Sequence, residues 1–182
     1  MKDEIREKVL KELKKDARQS DSAIAKKLNC AQSTVFRTRK ALEDEQVIIG
    51  YSALTDCTKM GWTTYMVLFK ASPPTKAGLN KIISGLKGGE VAAEMGVEVI
   101  DVYMLFGDFE WSMIFSAKTE AAAQKYFNYI KDRYKDFIDG RPEHSKIVFV
   151  CQKCGHTNPK LGELEKLAIS PSRRATSLCA SP

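Results

Sequence analysis

A chain of 182 residues has room for one domain of ordinary size or two small ones, and either can bury a core. Hydrophobic residues make up 43% and charged residues 29%, the proportions of a folded globular protein, which excludes wholesale disorder. Charged residues follow Met1 at once and no apolar run approaches transmembrane length, so neither a secretion signal nor a membrane span is expected, and a cytoplasmic location is.

The net charge of +6 is unevenly placed. Residues 1–60 hold 13 Lys and Arg against 10 Asp and Glu, residues 61–140 hold 9 against 10, and residues 141–182 hold 7 against 3. Both ends are basic and the middle is neutral, a balance suited to an end that touches a polyanion and a middle that touches protein or a small ligand. The five cysteines, Cys30, Cys57, Cys151, Cys154 and Cys179, are odd in number and irregular in spacing, which fits a reducing compartment better than a disulfide framework.

In chain order, residues 4–15 place Ile5, Val9, Leu10 and Leu13 on one stripe of a helix. Ser20 is placed to cap a second helix, whose Ile24, Ala25 and Leu28 share a face, and Asn29 suits the left-handed turn that follows. A third helix begins at Gln32, with Val35, Ala41 and Leu42 at helical spacing and no acid before Glu43. A basic helix presented by a helix-turn-helix is suited to the major groove of DNA, whereas a small bundle with a basic surface is the bland alternative. Arg37, Arg39 and Lys40 are expected to position phosphates, and Gln32, Ser33 and Thr34 to meet base edges. Arg39 has a second reading, a partly buried side chain that snorkels. The β-branched run VIIGYSALTD is expected to supply a two-stranded wing, making residues 1–53 a winged helix-turn-helix, with 54–61 as a linker.

Residues 62–71 read as a strand, a helix opens at Ser72-Pro73-Pro74 and carries Leu79, Ile82, Ile83 and Leu86, and Gly88-Gly89 ends it. VEVIDVYMLF and WSMIFSAK read as strands about the turn GDFE, residues 119–137 as an amphipathic helix, and SKIVFVC as the last strand. This β-α-β-β-α-β order over residues 62–152 is that of a ferredoxin-like fold, so the chain is α+β, with four antiparallel strands and two helices on one face. The other sheet face needs a cover, and a second copy of the chain supplies it, so a homodimer or higher homo-oligomer is expected.

The segments KVLKELKKDARQSDSAIAKKLN, STVF, ALEDEQVIIGYSALTD and YMLFGDFEWSMIF, in this order and spacing, resemble the leucine-responsive (Lrp/AsnC) family of transcription regulators. The resemblance implies binding to pseudo-palindromic double-stranded DNA and a small-molecule effector, often an amino acid, held between the ferredoxin-like domains of neighbouring subunits. It also implies a role for Gly107-Asp108-Phe109-Glu110, where the family carries Gly-Asp-aromatic-Asp. There the glycine turn would hold an effector carboxylate while Asp108 or Glu110 meets its ammonium; the bland alternative is a tight turn. The chain departs from the family at Thr38-Arg39, where arginine then an aliphatic residue is usual, at Ala31 in place of a serine cap, and at Gln46 in place of a glycine.

Residues 153–182 extend beyond the second domain. Cys151-Gln-Lys-Cys154-Gly-His156 resembles one knuckle of a zinc ribbon. Zinc takes four ligands: His156 is a candidate third, and Cys179, His144 or the same knuckle of another subunit a candidate fourth. The alternatives are two free thiols in an exposed turn or a redox pair. Residues 161–168 read as a short helix and SPSRRATSLCASP as a basic tail with diffuse phosphate attraction. The expected function is a DNA-binding transcription regulator and not an enzyme. The competing readings are a siroheme-decarboxylase-like enzyme on the same two-domain plan and a ligand-sensing module that does not bind DNA.

Overall fold

The structure, a computed structural model, describes residues 2–165. The chain divides into two compact units, one formed by Met1–Leu54 with the segment that begins at Val150, the other by Thr55–Phe149.

The first unit is built on three helices, α1 (Lys2–Lys15), α2 (Asp21–Leu28) and α3 (Gln32–Asp44). Their facing stripes meet in one core, in which Val9, Ile24, Val35 and Leu42 are fully buried and Ile5, Leu10, Leu28 and Cys30 pack at its margin. Ser20 caps α2 as its sequence position suggests: its Oγ accepts from the Ala23 N–H at 3.1 Å. Asn29 takes φ 49°, the left-handed conformation that reverses the chain between α2 and α3. A second left-handed residue, Gln46 at φ 56°, turns the chain out of α3.

The expected wing differs. No strand forms over residues 47–54. Val47, Ile49 and Tyr51 are exposed, Ile49 at 94%. A hairpin needs each strand to satisfy the other's backbone groups, and eight residues interrupted by Gly50 find no partner strand within the unit. Instead the Tyr51 hydroxyl donates to Glu43 Oε1 at 2.6 Å and ties this arm back to α3.

The second unit is a four-stranded antiparallel sheet in the order β2-β3-β1-β4, with β1 (Thr63–Ala71), β2 (Val97–Met104), β3 (Trp111–Ala117) and β4 (Ile138–Ile147). Helices α4 (Lys76–Lys87), α5 (Glu90–Glu94) and α6 (Glu120–Arg133) complete the ferredoxin-like arrangement. Alternation along β1 buries Tyr65, Val67 and Phe69 against Phe115, Tyr126 and Ile130, leaving Met66 and Lys70 exposed on the other side.

Two boundaries move relative to the sequence expectation. Helix α4 starts after the prolines, with Thr75 Oγ1 accepting from Gly78 N–H at 3.2 Å, since the cap and not the proline pair sets the first turn. The last strand begins at Ile138, well before SKIVFVC, and takes in Gly140 and Pro142. Pro142 is accommodated because β4 is an edge strand whose register against β1 shifts between Leu68 and Lys70. Past Val150, the short strands β5 (Gln152–Lys153) and β6 (His156–Thr157) pair around a turn in which Cys154 and Gly155 both have positive φ, 48° and 81°. Of the helix expected at 161–168, the described residues show a 3-10 turn over Leu161–Glu163 running into α-helical backbone at Leu164 and Glu165, and the rest of it, with the basic tail, lies outside them.

Candidate nucleic-acid interface

Helix α3 is anchored by Val35 and Leu42 on its buried side, which turns the opposite face outward. On that face Gln32, Ser33, Phe36, Arg37 and Lys40 are exposed, and Thr34 is half-buried. The spacing of Gln32, Phe36 and Lys40, four residues apart, and of Ser33 and Arg37, lines them along adjacent rows of one helix surface. The first turn of α3 carries no acid, and its N-cap, Ala31, makes no side-chain hydrogen bond. The Thr34 amide turns back to the Ala31 carbonyl at 3.0 Å, and the amides of Gln32 and Ser33, with the positive end of the helix dipole, are left for an external acceptor.

Of the three cations expected to face phosphate, Arg37 and Lys40 are exposed, whereas Arg39 is turned inward. Its Nε donates to Asp21 Oδ1 at 2.8 Å and its Nη2 to the Gln19 carbonyl at 2.9 Å, with only 18% of either charged side chain exposed. The expectation that all three cations position phosphates gives way at Arg39 to its second reading, a partly buried side chain: Arg39 braces α3 against the start of α2. The residue that sequence reasoning passed over is Phe36, 57% exposed in the middle of the cationic face. Its position four residues after Gln32 was the available signal. An exposed aromatic ring there offers apolar contact to a base methyl, which a fully polar helix lacks.

In the second unit, the tip of the β2–β3 hairpin presents Phe106, Gly107 and Asp108 to solvent. Glu110 is not equivalent to them. Its Oε2 accepts from the Ala71 N–H at 2.8 Å and its own N–H donates to the Phe69 carbonyl at 3.1 Å, so it fastens the hairpin to the end of β1. Of the two carboxylates expected as alternatives for an effector ammonium, Glu110 thus has one oxygen engaged with β1, and Asp108 is the exposed one.

Cys151 and Cys154 are exposed free thiols on the β5–β6 turn. His156 Nε2 lies 3.1 Å from the Lys14 carbonyl, and His144 packs against Phe127 with ring centroids 5.1 Å apart. Among the described residues no group of three or more His, Cys, Asp or Glu side chains gathers in a metal-binding arrangement, and Cys179 lies outside them.

Residues 2–49 match a family model described as a winged helix-turn-helix DNA-binding domain. An uncharacterized HTH-type transcriptional regulator from Pyrococcus furiosus is 35% identical over 83 residues, which are 45% of this chain and 56% of that protein. The match thus spans about half the length of the curated relative. Among solved structures, the Mycobacterium tuberculosis leucine response regulatory protein superposes with a TM-score of 0.64 at 20% identity, covering 82% of this chain and 94% of its own. A transcriptional regulator from Neisseria meningitidis, solved as a complex with L-Met, superposes with a TM-score of 0.65 at 13% identity, covering 84% and 94%. At such identities the likeness is one of fold: this chain has the two-domain architecture of the Lrp/AsnC regulators.

Proposed function

We propose that this chain, sharing the architecture of the Lrp/AsnC regulators, is a sequence-specific DNA-binding transcription regulator that acts as a dimer and responds to a small molecule. The observation that carries the proposal is the outward face of α3. Gln32 and Ser33 at its N-terminus, with Phe36, Arg37 and Lys40 along it, combine base-reading, apolar and phosphate-neutralising groups on one rod that a helix-turn-helix presents. The match of residues 2–49 to a DNA-binding helix-turn-helix supports the same assignment.

Dimerisation is supported by the sheet face turned away from the helices. There Met66 is 38% exposed, with Leu68 and Ile114 half-buried beside it, an apolar surface that a second copy would cover. Two copies present two α3 helices, and a pseudo-palindromic site with half-sites about one helical turn apart is the matching target. An amino acid is the proposed effector, the ligand class of the neisserial protein. Gly107 and Asp108 at the hairpin tip are its proposed contacts. Regulation follows by linkage: an effector that favours one assembly geometry changes how the two helices fit successive grooves, whereas one indifferent to geometry regulates nothing.

Selection of genomic DNA fragments by the purified chain, with and without a panel of amino acids, tests the proposal. Enrichment of a two-fold related motif is expected, with at least one amino acid shifting the selected set. Failure to enrich any motif, together with a coloured preparation that turns over a tetrapyrrole, would move the protein to the enzyme class.

A further inference from the structure

Beneath α4 and α6 of the second unit lies a cavity of about 200 Å3. Its walls are apolar, with Phe69, Val102, Trp111 and Met113 contributed by the sheet and Leu86 and Val91 closing it from the helical side. Burial pushes the Tyr126 hydroxyl in this lining up to about 12, the response of an ionisable group kept from water.

One charge reaches this space. Arg133, at the last turn of α6, lines the cavity, and its guanidinium lies 5.8 Å from the Tyr129 ring centroid and 5.7 Å from that of Tyr134. Its Nε is buried and makes no hydrogen bond among the described residues, while the rest of the guanidinium is only partly buried and the adjacent Tyr134 hydroxyl raises its pKa. The ion pairs of this unit, Lys81–Asp136 and Lys146–Glu120, do not involve it. Gly85 on α4 leaves room for the arrangement, since a Cβ at that position would fall 2.4 Å from Tyr134 Oη and 3.7 Å from Arg133 Nε.

The Nε has no acceptor of its own, and a carboxylate entering the cavity would add a charge-assisted hydrogen bond to a guanidinium that otherwise has only the Tyr129 and Tyr134 side chains beside it. The described lining contains no Asp or Glu, so the ammonium of an amino acid would find no counter-charge there. An apolar cavity of roughly 150 Å3 accepts a benzene molecule, which sets the size of the body this one takes at about one ring or a short branched chain. We propose that the cavity binds a small apolar monocarboxylate, its ring or aliphatic body under α4 and its carboxylate on Arg133. This site is separate from the β2–β3 hairpin tip and stands whether or not the chain binds DNA.

Titration of the full chain, followed by amide NMR, with phenylacetate, phenylacetamide and phenylalanine decides the matter. Phenylacetate is expected to give saturable shifts at Gly85, Ser112 and Tyr129. The neutral amide and the zwitterion should each bind roughly tenfold more weakly, the loss expected from removing a charge-assisted contact or adding an unpaired ammonium. Arg133→Gln should lower phenylacetate affinity to that of the amide and leave the amide unchanged, and Val91→Trp, at an exposed rim position, should block both. Equal binding of acid and amide, shifts confined to other residues, or no saturation at millimolar ligand would overturn the proposal. If Arg133→Gln does not fold, the comparison of acid with amide on the unaltered chain decides alone.

Discussion

Arg39 closes on Asp21 across the helix-turn-helix, with Nη2 2.7 Å and Nε 2.8 Å from the same carboxylate oxygen. The contact spans 18 residues of sequence and joins the body of α3 to the first turn of α2. Removing one partner leaves a largely buried charge uncompensated, so Arg39→Ala and Asp21→Ala should each cost about 1–3 kcal/mol of stability. A double-mutant cycle in urea should return a favourable coupling energy, and DNA affinity measured well below the melting transition should change little. A stable Arg39→Ala chain that has lost DNA binding would return Arg39 to the interface.

Arg37 and Lys40 should behave in the opposite way. Both are exposed on the outer face of α3, and neither is engaged in a hydrogen bond or ion pair among the described residues. Each alanine substitution should leave stability within about 0.5 kcal/mol while removing roughly one phosphate contact. The slope of log affinity against log salt should become shallower by about 0.9 for each residue. Fluorescence anisotropy across a salt series measures this, and unchanged slopes in both variants would contradict the assigned face.

Phe36 separates sequence reading from charge attraction. Phe36→Ala should weaken binding to the preferred site by about 1–3 kcal/mol, the range for loss of a specific base contact, and leave the salt slope as it was. Parallel measurements on preferred and scrambled DNA make the test: equal loss on both would mean that the ring does not contact a base.

Acid should loosen the helical unit through Glu12. This carboxylate is buried at the junction of α1 and α2, accepting from Lys15 and, at 3.1 Å, from Lys27. The Lys15 hydrogen bond, and then that of Lys27, hold its pKa below the ordinary 4.5. The unfolded chain therefore takes up this proton first as pH falls, so the stabilisation is complete above 4.5 and fades as pH drops through the lower folded value. Glu12→Gln should be less stable than the parent at neutral pH and show a flatter acid limb. Urea midpoints between pH 3 and pH 7, on the scale of about four pH units over which this linkage acts, would show parallel curves if Glu12 were not the source.

What was legible in the sequence was what local chemistry dictates. The stripe of Ile5, Val9 and Leu13, the Ser20 cap and the Asn29 turn each rest on residues within one or two turns of each other, and the strand order follows from alternation. Tertiary partners decided the rest. Arg37 and Arg39 are alike in sequence, and only Asp21 makes one of them structural. Glu110 reads as a pocket carboxylate until the Ala71 amide 39 positions away claims it. The last strand, expected to open at Ser145, reaches back past Pro142 because a bulge on an edge strand suspends the usual exclusion of proline. The two wing strands are missing over residues 47–54 for the complementary reason: β-branched residues state a preference for extended backbone, and a strand also requires a neighbour.

The caps of α2 and α3 differ by a single oxygen, which gives a stabilising substitution. Ser20 and Ala31 hold nearly the same backbone conformation, φ −70° and ψ 152° against φ −70° and ψ 141°. Ser20 Oγ accepts from Ala23 N–H three residues on, whereas Ala31 has no side-chain acceptor and the equivalent amide of Thr34 turns back to the Ala31 carbonyl at 3.0 Å. Ala31 is exposed, so a hydroxyl meets no packing conflict. Ala31→Ser should therefore stabilise the helical unit by about 0.5–2 kcal/mol, visible as a higher urea midpoint with unchanged slope. The same hydroxyl would place a further acceptor over the first turn of α3, beside the amides of Gln32 and Ser33. If the open N-terminus of α3 is used by a DNA phosphate, the gain in stability should be accompanied by weaker DNA binding. Stability and affinity rising together would show that the phosphate contacts lie elsewhere on the helix.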